Sequence, residues 1–309
     1  MIRYILKRLL MLIPVMIGVS LFIFIIMDFA PGDAAMTALG DNATEQQLFE
    51  YRQERGLNDP VFVRYARYML GIVRGDLGTS YITNRNVLQT YLQKLPYTLE
   101  LAFSGTLLAV FFSIILGVIA ALRRGTIIDS SVMILALIGL SMPLFWLGLL
   151  LIICFSLNLG LLPPGGAEGI EYLVLPAVTL AVAKMALLTR TTRSSMLEVI
   201  NEDYIRTARA KGVSKKDAVR KHALRNALIP IITAIGIELG SSLGGSVIVE
   251  TVFAWPGVGR LIVDSIGKRD TPMVTGCLIL TTMIVAMLLL IVDIIYAYVD
   301  PRIKGQYSK

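Results

Sequence analysis

The sequence predicts an all-α polytopic membrane protein with six transmembrane helices and both termini in the cytoplasm. Three observations carry that expectation. Mean hydropathy is +0.71 with 17% charged residues. Several apolar runs reach the roughly 20 residues a helix needs to cross hydrocarbon. Lys and Arg gather in alternate connections, as retention of cations on the cytoplasmic side requires. None of the runs alternates as a barrel strand would, and a helix satisfies its own backbone in lipid.

The first span covers residues 9–27 and follows Arg3, Lys7 and Arg8, which place the N-terminus inside. Its apolar stretch exceeds the roughly 15 residues of a signal core, and no small-residue cleavage site follows, so it is expected to be retained. Residues 28–98 form the one long external piece. There GLNDPVFVRYARYMLGIVRGDLGTS sets aromatic and aliphatic residues at helical spacing, predicting a small folded cap. The later spans are 99–122, 132–157, 172–189, 228–249 and 275–298.

Arg123 and Arg124 follow the second span, residues 190–225 hold ten Lys or Arg, and the tail 300–309 carries Arg302, Lys304 and Lys309. All fall inside by this threading. The connection 158–171 has Glu168 and Glu171 and no cation, as an outside loop should. The chain thus divides into residues 1–93, the first span with its external cap; 94–299, a core region of the other five spans with a cytoplasmic loop at 190–227; and the tail 300–309. A pI near 9.4 and a net charge of +7 would also suit a nucleic-acid binder. Topology accounts for that charge, so membrane lipid is an expected partner and nucleic acid is not.

Topology does not account for the order of residues within the basic loop. Glu202 and Asp203 suit a first helical turn, Glu202 can pair with Arg206, and Tyr204, Ile205 and Ala208 share a face. Gly212 ends that helix. Ser214 and Asp217 can cap a second one that runs into the fifth span. A short exposed helix held at a fixed angle below the membrane has the shape to dock in a groove of another protein.

Charges inside spans are costly, about 2.5–3.5 kcal/mol each at the bilayer centre. Lys184, Glu238 and Asp293 are the candidates: Lys184 and Glu238 either line a solute path or pair with each other, and Asp293 lies near a helix end. Gly236, Gly240 and Gly244 make a small-residue ridge that lets another helix approach, within the chain or from a partner. Met142, Phe145 and Trp146 read as packing residues. Trp255, Pro256 and Gly257 form a tight external turn or an outer gate.

Chemistry of its own is not expected from this chain. The one Gly-Lys pair, Gly267-Lys268, is followed by Arg269 and has Ile262 where a phosphate-binding loop needs its first glycine. His222 lacks companion ligands, and Cys154 and Cys277 fall in spans as apolar thiols. No cofactor or metal is therefore expected in this chain.

At this point the sequence resembles the inner-membrane permease subunits of ABC importers, in particular the dipeptide, oligopeptide and nickel branch. Gly212 aligns with the glycine of that family's EAA loop, with Arg206, Thr207 and Ala208 where Glu-Ala-Ala stands and Leu224 at the following leucine. EDYIRTARAKG with HALRNALIP looks like the peptide-branch form. PGD (31–33), GDLGTS (75–80), SMPLFWLG (141–148), TRSSMLEV (192–199), FAWPGVGR (253–260), RD-x-P (269–272) and DPRI (300–303) follow in that branch's order.

The resemblance implies a type I importer permease in the cytoplasmic (inner) membrane. It implies a homologous second permease, two cytoplasmic ATPases that hold ATP and Mg, and an external solute-binding protein. The loop helix would be the coupling helix seated in an ATPase groove. Short peptides are the expected solute, with nickel or a metal chelate as the alternative. A secondary transporter driven by an ion gradient is disfavoured by the lack of inverted repeats, and a membrane enzyme by the lack of a cluster of reactive groups.

Overall fold

The computed structural model describes residues 2–29 and 32–299. Pro31 of the PGD motif, the DPRI motif and the whole tail 300–309 lie outside the described residues. All regular structure among the described residues is helical. In chain order the helices are α1 (Ile2–Phe29), α2 (Ala34–Leu39), α3 (Glu45–Glu54), α4 (Val61–Val73), α5 (Val87–Leu122), α6 (Ile127–Ser141) and α7 (Leu144–Leu151). They continue with α8 (Ile170–Ile200), α9 (Asp203–Ala210), α10 (Lys215–Asp217), α11 (Leu224–Val252), α12 (Val258–Gly267) and α13 (Thr271–Val299). Two π-helical segments, Ile152–Asn158 after α7 and Ala218–Ala223 after α10, complete the set.

Four helices are long and apolar enough to cross a membrane, and two bent pairs raise the number to six. The bent pairs correct two expected spans. Residues 132–157 are not one rod: α6 and the segment Leu144–Asn158 meet at 103°. Pro143 brings no N–H and disfavours helical geometry at Met142, which is extended at φ −78°, ψ 127°. In the fifth span, Pro230 accompanies a bend of 51° between Ala218–Leu228 and Pro230–Ser242. A third difference is length: α8 continues eleven residues beyond the expected end at 189, so the basic loop begins as a helix.

The chain clusters into two compact units, residues 1–98 with 256–287, and residues 99–255 with 288–309.

In the first unit the cap is built from local signals. Asp33 caps α2 through the Ala35 N–H (2.9 Å), and Thr44 and Gln47 form a reciprocal capping box on α3. The amphipathic α4 packs on α1, where Phe24 meets Tyr65 edge-on at 5.6 Å and the Ser20 and Tyr65 hydroxyls bond at 3.0 Å. A core of Leu77, Val87, Tyr91, Val258, Ile262 and Cys277 gathers the rest. Here two motifs nearly two hundred residues apart meet. Buried Asp270 of RD-x-P accepts from the Ser80 hydroxyl and from the Tyr81 N–H (2.9 Å), at the end of GDLGTS.

In the second unit α8 is central, packing against α6, α7 and α11. Glycines let α5 close on it. A Cβ at Gly105 would lie 2.8 Å from that of Leu180, and one at Gly117 would lie 2.5 Å from that of Thr192. In lipid such close approach, more than apolar burial, holds helices together.

Candidate docking helix and transmembrane groove

The α9 helix is positioned from below by one apolar residue. Ile205 is buried with Ala121 of α5, Met196 of α8, and Ala223, Ala227 and Ile231 along the π-helical segment and α11. Gly212, at φ +89°, makes the bend that follows, a conformation a side chain would strain. Beyond it the Ser214 hydroxyl accepts from the Asp217 N–H (3.1 Å) and donates to its carboxylate (2.7 Å), as the sequence spacing suggests. The Ser214 hydroxyl, with Lys221 nearby, holds the Asp217 carboxyl below its ordinary range.

Around that anchor the remaining expected residues separate. Asp203 and Arg206 are exposed, and Arg206 pairs with Asp203 at 3.7 Å. The expected Glu202 to Arg206 pair is not made, because Glu202 sits at the N-cap outside the first turn. Ala208 is half-buried. Tyr204 does not join Ile205 inside: it is exposed, and its hydroxyl accepts from Asn226 Nδ2 at 2.9 Å. The result is a short helix whose inner side is fixed to three other helices and whose outer side presents Asp203, Tyr204 and Arg206.

Higher in the same unit, α6, α8 and α11 enclose a groove of about 390 Å³. Its walls are aliphatic, from Met133, Leu137 and Leu140 on α6 and Ala183 and Leu187 on α8, with Glu238 and Arg190 as its charged residues. Lys184 is buried and does not pair with the Glu238 carboxylate. Its ammonium donates to the Glu238 backbone carbonyl (2.8 Å), to Thr106 Oγ1 (3.1 Å) and to Ser242 Oγ. Lys184 therefore ties α8 to α5 and α11 through neutral oxygens, and the carboxylate is left to face the groove.

The glycine ridge of α11 is used unevenly. A Cβ at Gly236 would come within 2.1 Å of Val292, and one at Gly240 within 2.7 Å of Leu289, so these two receive α13. At Gly244 nothing lies within 4 Å. Phe145 and Trp146 are exposed on α7, and Cys154 is likewise exposed while Cys277 is buried. Trp255 is 2% exposed, in a cluster with Leu101, Leu175 and Phe253. Gly257 caps α12, whose Val258 N–H donates to Thr98 Oγ1 at 2.8 Å.

A family model described as a binding-protein-dependent transport system inner membrane component matches residues 113–305, and one for the N-terminal part of such membrane components matches residues 1–102. The chain belongs to this family of binding-protein-dependent transport system inner membrane components. Among its relatives, the oligopeptide transport system permease protein AppB of Bacillus subtilis (strain 168) is 43% identical, with 98% of this chain and 100% of AppB covered. The glutathione transport system permease protein GsiC of Salmonella paratyphi A is 42% identical over 98% of this chain and 99% of GsiC. The dipeptide transport system permease protein DppB of Alkalihalophilus pseudofirmus is 38% identical over 98% and 100%. In fold, the permease resembles a chain of the MetNI methionine ABC transporter, at 24% identity and TM-score 0.59 over 69% of this chain and 97% of that one.

Sequence reasoning missed three features of this inner membrane component. Asp129 and Arg193 join α6 to α8 in a bidentate pair; the signal was Arg193 within TRSSMLEV, but its partner lies 64 residues away. Arg190 was counted as loop charge, yet it sits one helical turn beyond Leu187 on the groove-facing side of α8. Glu250, fully buried, accepts from the Ser246 hydroxyl at 3.0 Å, and it lies one residue past the expected end of its span.

Proposed function

We propose that this permease subunit imports short peptides as half of the membrane pathway of an ABC importer. The other parts would be a homologous second permease, two cytoplasmic ATPases that bind ATP and Mg, and an external solute-binding protein. The observation that carries the reading is full-length similarity to permeases of oligopeptide, dipeptide and glutathione systems, at 38–43% identity. Peptides are favoured over nickel on that ground.

The positive-inside rule puts α9 on the cytoplasmic side, where an ATPase would meet it. Closure of the ATPase pair on ATP would press on the Asp203, Tyr204 and Arg206 surface. Ile205 would pass that movement to α5, α8 and α11 together, because it packs against all three. Hydrolysis would release it, and the spans would return to face inward. Gly244 on α11 and Phe145 and Trp146 on α7, uncovered within the chain, would meet the second permease or lipid. The turn at Trp255, Pro256 and Gly257 would form the outer gate.

The test is co-purification of the tagged chain from its own membranes with mass spectrometry of what accompanies it, beside peptide uptake by the same cells. A second six-span protein and an ATPase with a phosphate-binding loop are expected. Replacing residues 204–212 by a Gly-Ser linker should lose the ATPase and uptake while the second permease stays. A chain that purifies alone and moves peptide in liposomes without ATP would overturn the proposal.

A further inference from the structure

We propose that the groove between α6, α8 and α11 is a binding site for the two charged ends of a zwitterionic peptide, with Glu238 receiving the ammonium and Arg190 the carboxylate. It rests on the peptide-import reading and names the residues that would touch the solute.

Three observations carry it. The first is the lining: an aliphatic trough of about 390 Å³, a size suited to a small ligand, bears one carboxylate and one guanidinium and otherwise offers almost no polar surface. The second is that the fold uses neither charge. The Glu238 carboxylate receives only a 3.4 Å contact from the Ser241 hydroxyl, and among the described residues Arg190 makes no hydrogen bond or ion pair. Glu238 is half-buried within a span, where an unpaired carboxylate costs folding energy and marks a ligand or ion route, and Arg190 is exposed and so open to a ligand. The third is the behaviour of Lys184. The nearby ammonium that could neutralise Glu238 is hydrogen-bonded to Thr106, Ser242 and the Glu238 carbonyl, and it acts on the carboxylate only through space.

Register supports the division of labour. Ala183, Leu187 and Arg190 follow one another at i, i+4 and i+7 on α8, so one helix face supplies apolar wall and then a cation. A free peptide terminus on each side would complete the charges with bonds of the strong, charge-assisted kind, the guanidinium fork matching a carboxylate. Between them the aliphatic walls make no polar demand on peptide side chains. The site therefore selects free termini and tolerates sequence.

The test measures binding to the purified transporter complex without its solute-binding protein, by equilibrium dialysis of radiolabelled trialanine, N-acetyl-trialanine and trialanine amide. Trialanine should bind, and each blocked form about tenfold more weakly, the loss expected for one charged hydrogen bond. Glu238→Gln should make trialanine and its N-acetyl form equivalent without changing the penalty for the amide. Arg190→Gln should do the reverse, and Arg190→Lys should restore part of the discrimination. Leu137→Trp, which leaves both charges in place, should weaken all three by filling the trough. Absence of binding, or discrimination that both charge variants leave unchanged, would overturn the assignment. If cells carrying the same variants still depend on this chain for trialanine uptake, only the groove assignment falls; if uptake never depended on the chain, the peptide reading falls with it.

Discussion

Asp129 on α6 and Arg193 on α8 meet in a two-pronged ion pair, Nε to Oδ1 at 2.6 Å and Nη2 to Oδ2 at 2.7 Å. The same carboxylate accepts the Gly125 N–H at 3.0 Å, so it fixes the turn before α6 as well as the helix pair. Asp129 is 7% exposed and Arg193 27%. Asp129→Ala should therefore cost about 2–3 kcal/mol, somewhat below the full penalty for a fully buried pair. The thermal midpoint of the detergent-solubilised subunit checks this, and the exchange D129R with R193D should recover part of the loss. An unchanged midpoint for Asp129→Ala would show the pair to be idle.

Ile205 is the one inward anchor of α9. Ile205→Ala should weaken its seating by about 2–4 kcal/mol, seen as faster amide exchange across Asp203–Ala210 without a change in α8. Tyr204→Ala removes a single exposed hydrogen bond to Asn226, so the helix should stay seated while ATPase recovery falls. Loss of ATPase only in the Ile205 variant would mean that the outer surface contributes nothing to docking.

The α11 glycines should respond unequally. Gly236→Ala and Gly240→Ala force a Cβ into Val292 and Leu289 and should lower subunit stability by about 1–3 kcal/mol. Gly244→Ala meets open space and should leave the isolated subunit unchanged. Gly244→Leu should then separate two environments, disturbing recovery of the second permease if that partner covers it and having no effect if lipid does. Equal destabilisation by all three alanines would contradict the packing described.

Lys184→Met replaces a buried ammonium, with its three hydrogen bonds to neutral acceptors, by an apolar side chain of similar length. The lost charged hydrogen bonds should cost about 2 kcal/mol net, since Thr106 and Ser242 can turn to other partners and the desolvation of the ammonium is relieved. The expected readout is a lower thermal midpoint with folding retained. A rise in stability would mean that the charge is kept for transport alone.

In the cap, burial works to raise the Asp33 carboxyl, but hydrogen bonds from Arg52 and the Ala35 N–H outweigh it and hold the group below its ordinary value of 3.8. A lowered carboxyl stabilises the fold above its unfolded pKa and loses that contribution as pH falls through the folded value. Limited proteolysis of the cap should therefore accelerate below about pH 4, and Asp33→Asn should flatten that response. Both groups are partly exposed, so the effect stays under about 1 kcal/mol.

Most of the fold was legible because lipid makes length and hydropathy decisive. Where legibility failed, one residue overruled the average. Pro143 and Pro230 bend runs whose composition reads as continuous, and hydropathy windows do not register a missing N–H. The α9 helix was readable because its signals are local: Asp203 in its first turn, Gly212, and Ser214 with Asp217. Its inner contact was half readable, since spacing grouped Tyr204 with Ile205 while tertiary packing took only Ile205. The groove was least legible. Lys184 and Glu238 stood out as charges, but that the bond joins an ammonium to a backbone carbonyl, and that Arg190 shares the trough, depends on helix rotation that no short motif encodes. Ser80 and Asp270 were each inside a recognised motif, and only the fold shows that the motifs touch.

The break at Met142 and Pro143 also bears on how the protein is made. α6 has fifteen residues and reaches only about 22 Å at 1.5 Å per residue, short of a hydrocarbon layer near 30 Å thick. The segment after it is no longer. Neither piece can leave the insertion machinery for lipid as an independent rod, and both emerge from the ribosome before α8 and α11, the helices that α7 packs against. Membrane integration of this region must therefore wait for chain that has not yet been synthesised. Nascent chains arrested ahead of α11 should accumulate as prey for membrane proteases, whereas those arrested later should persist.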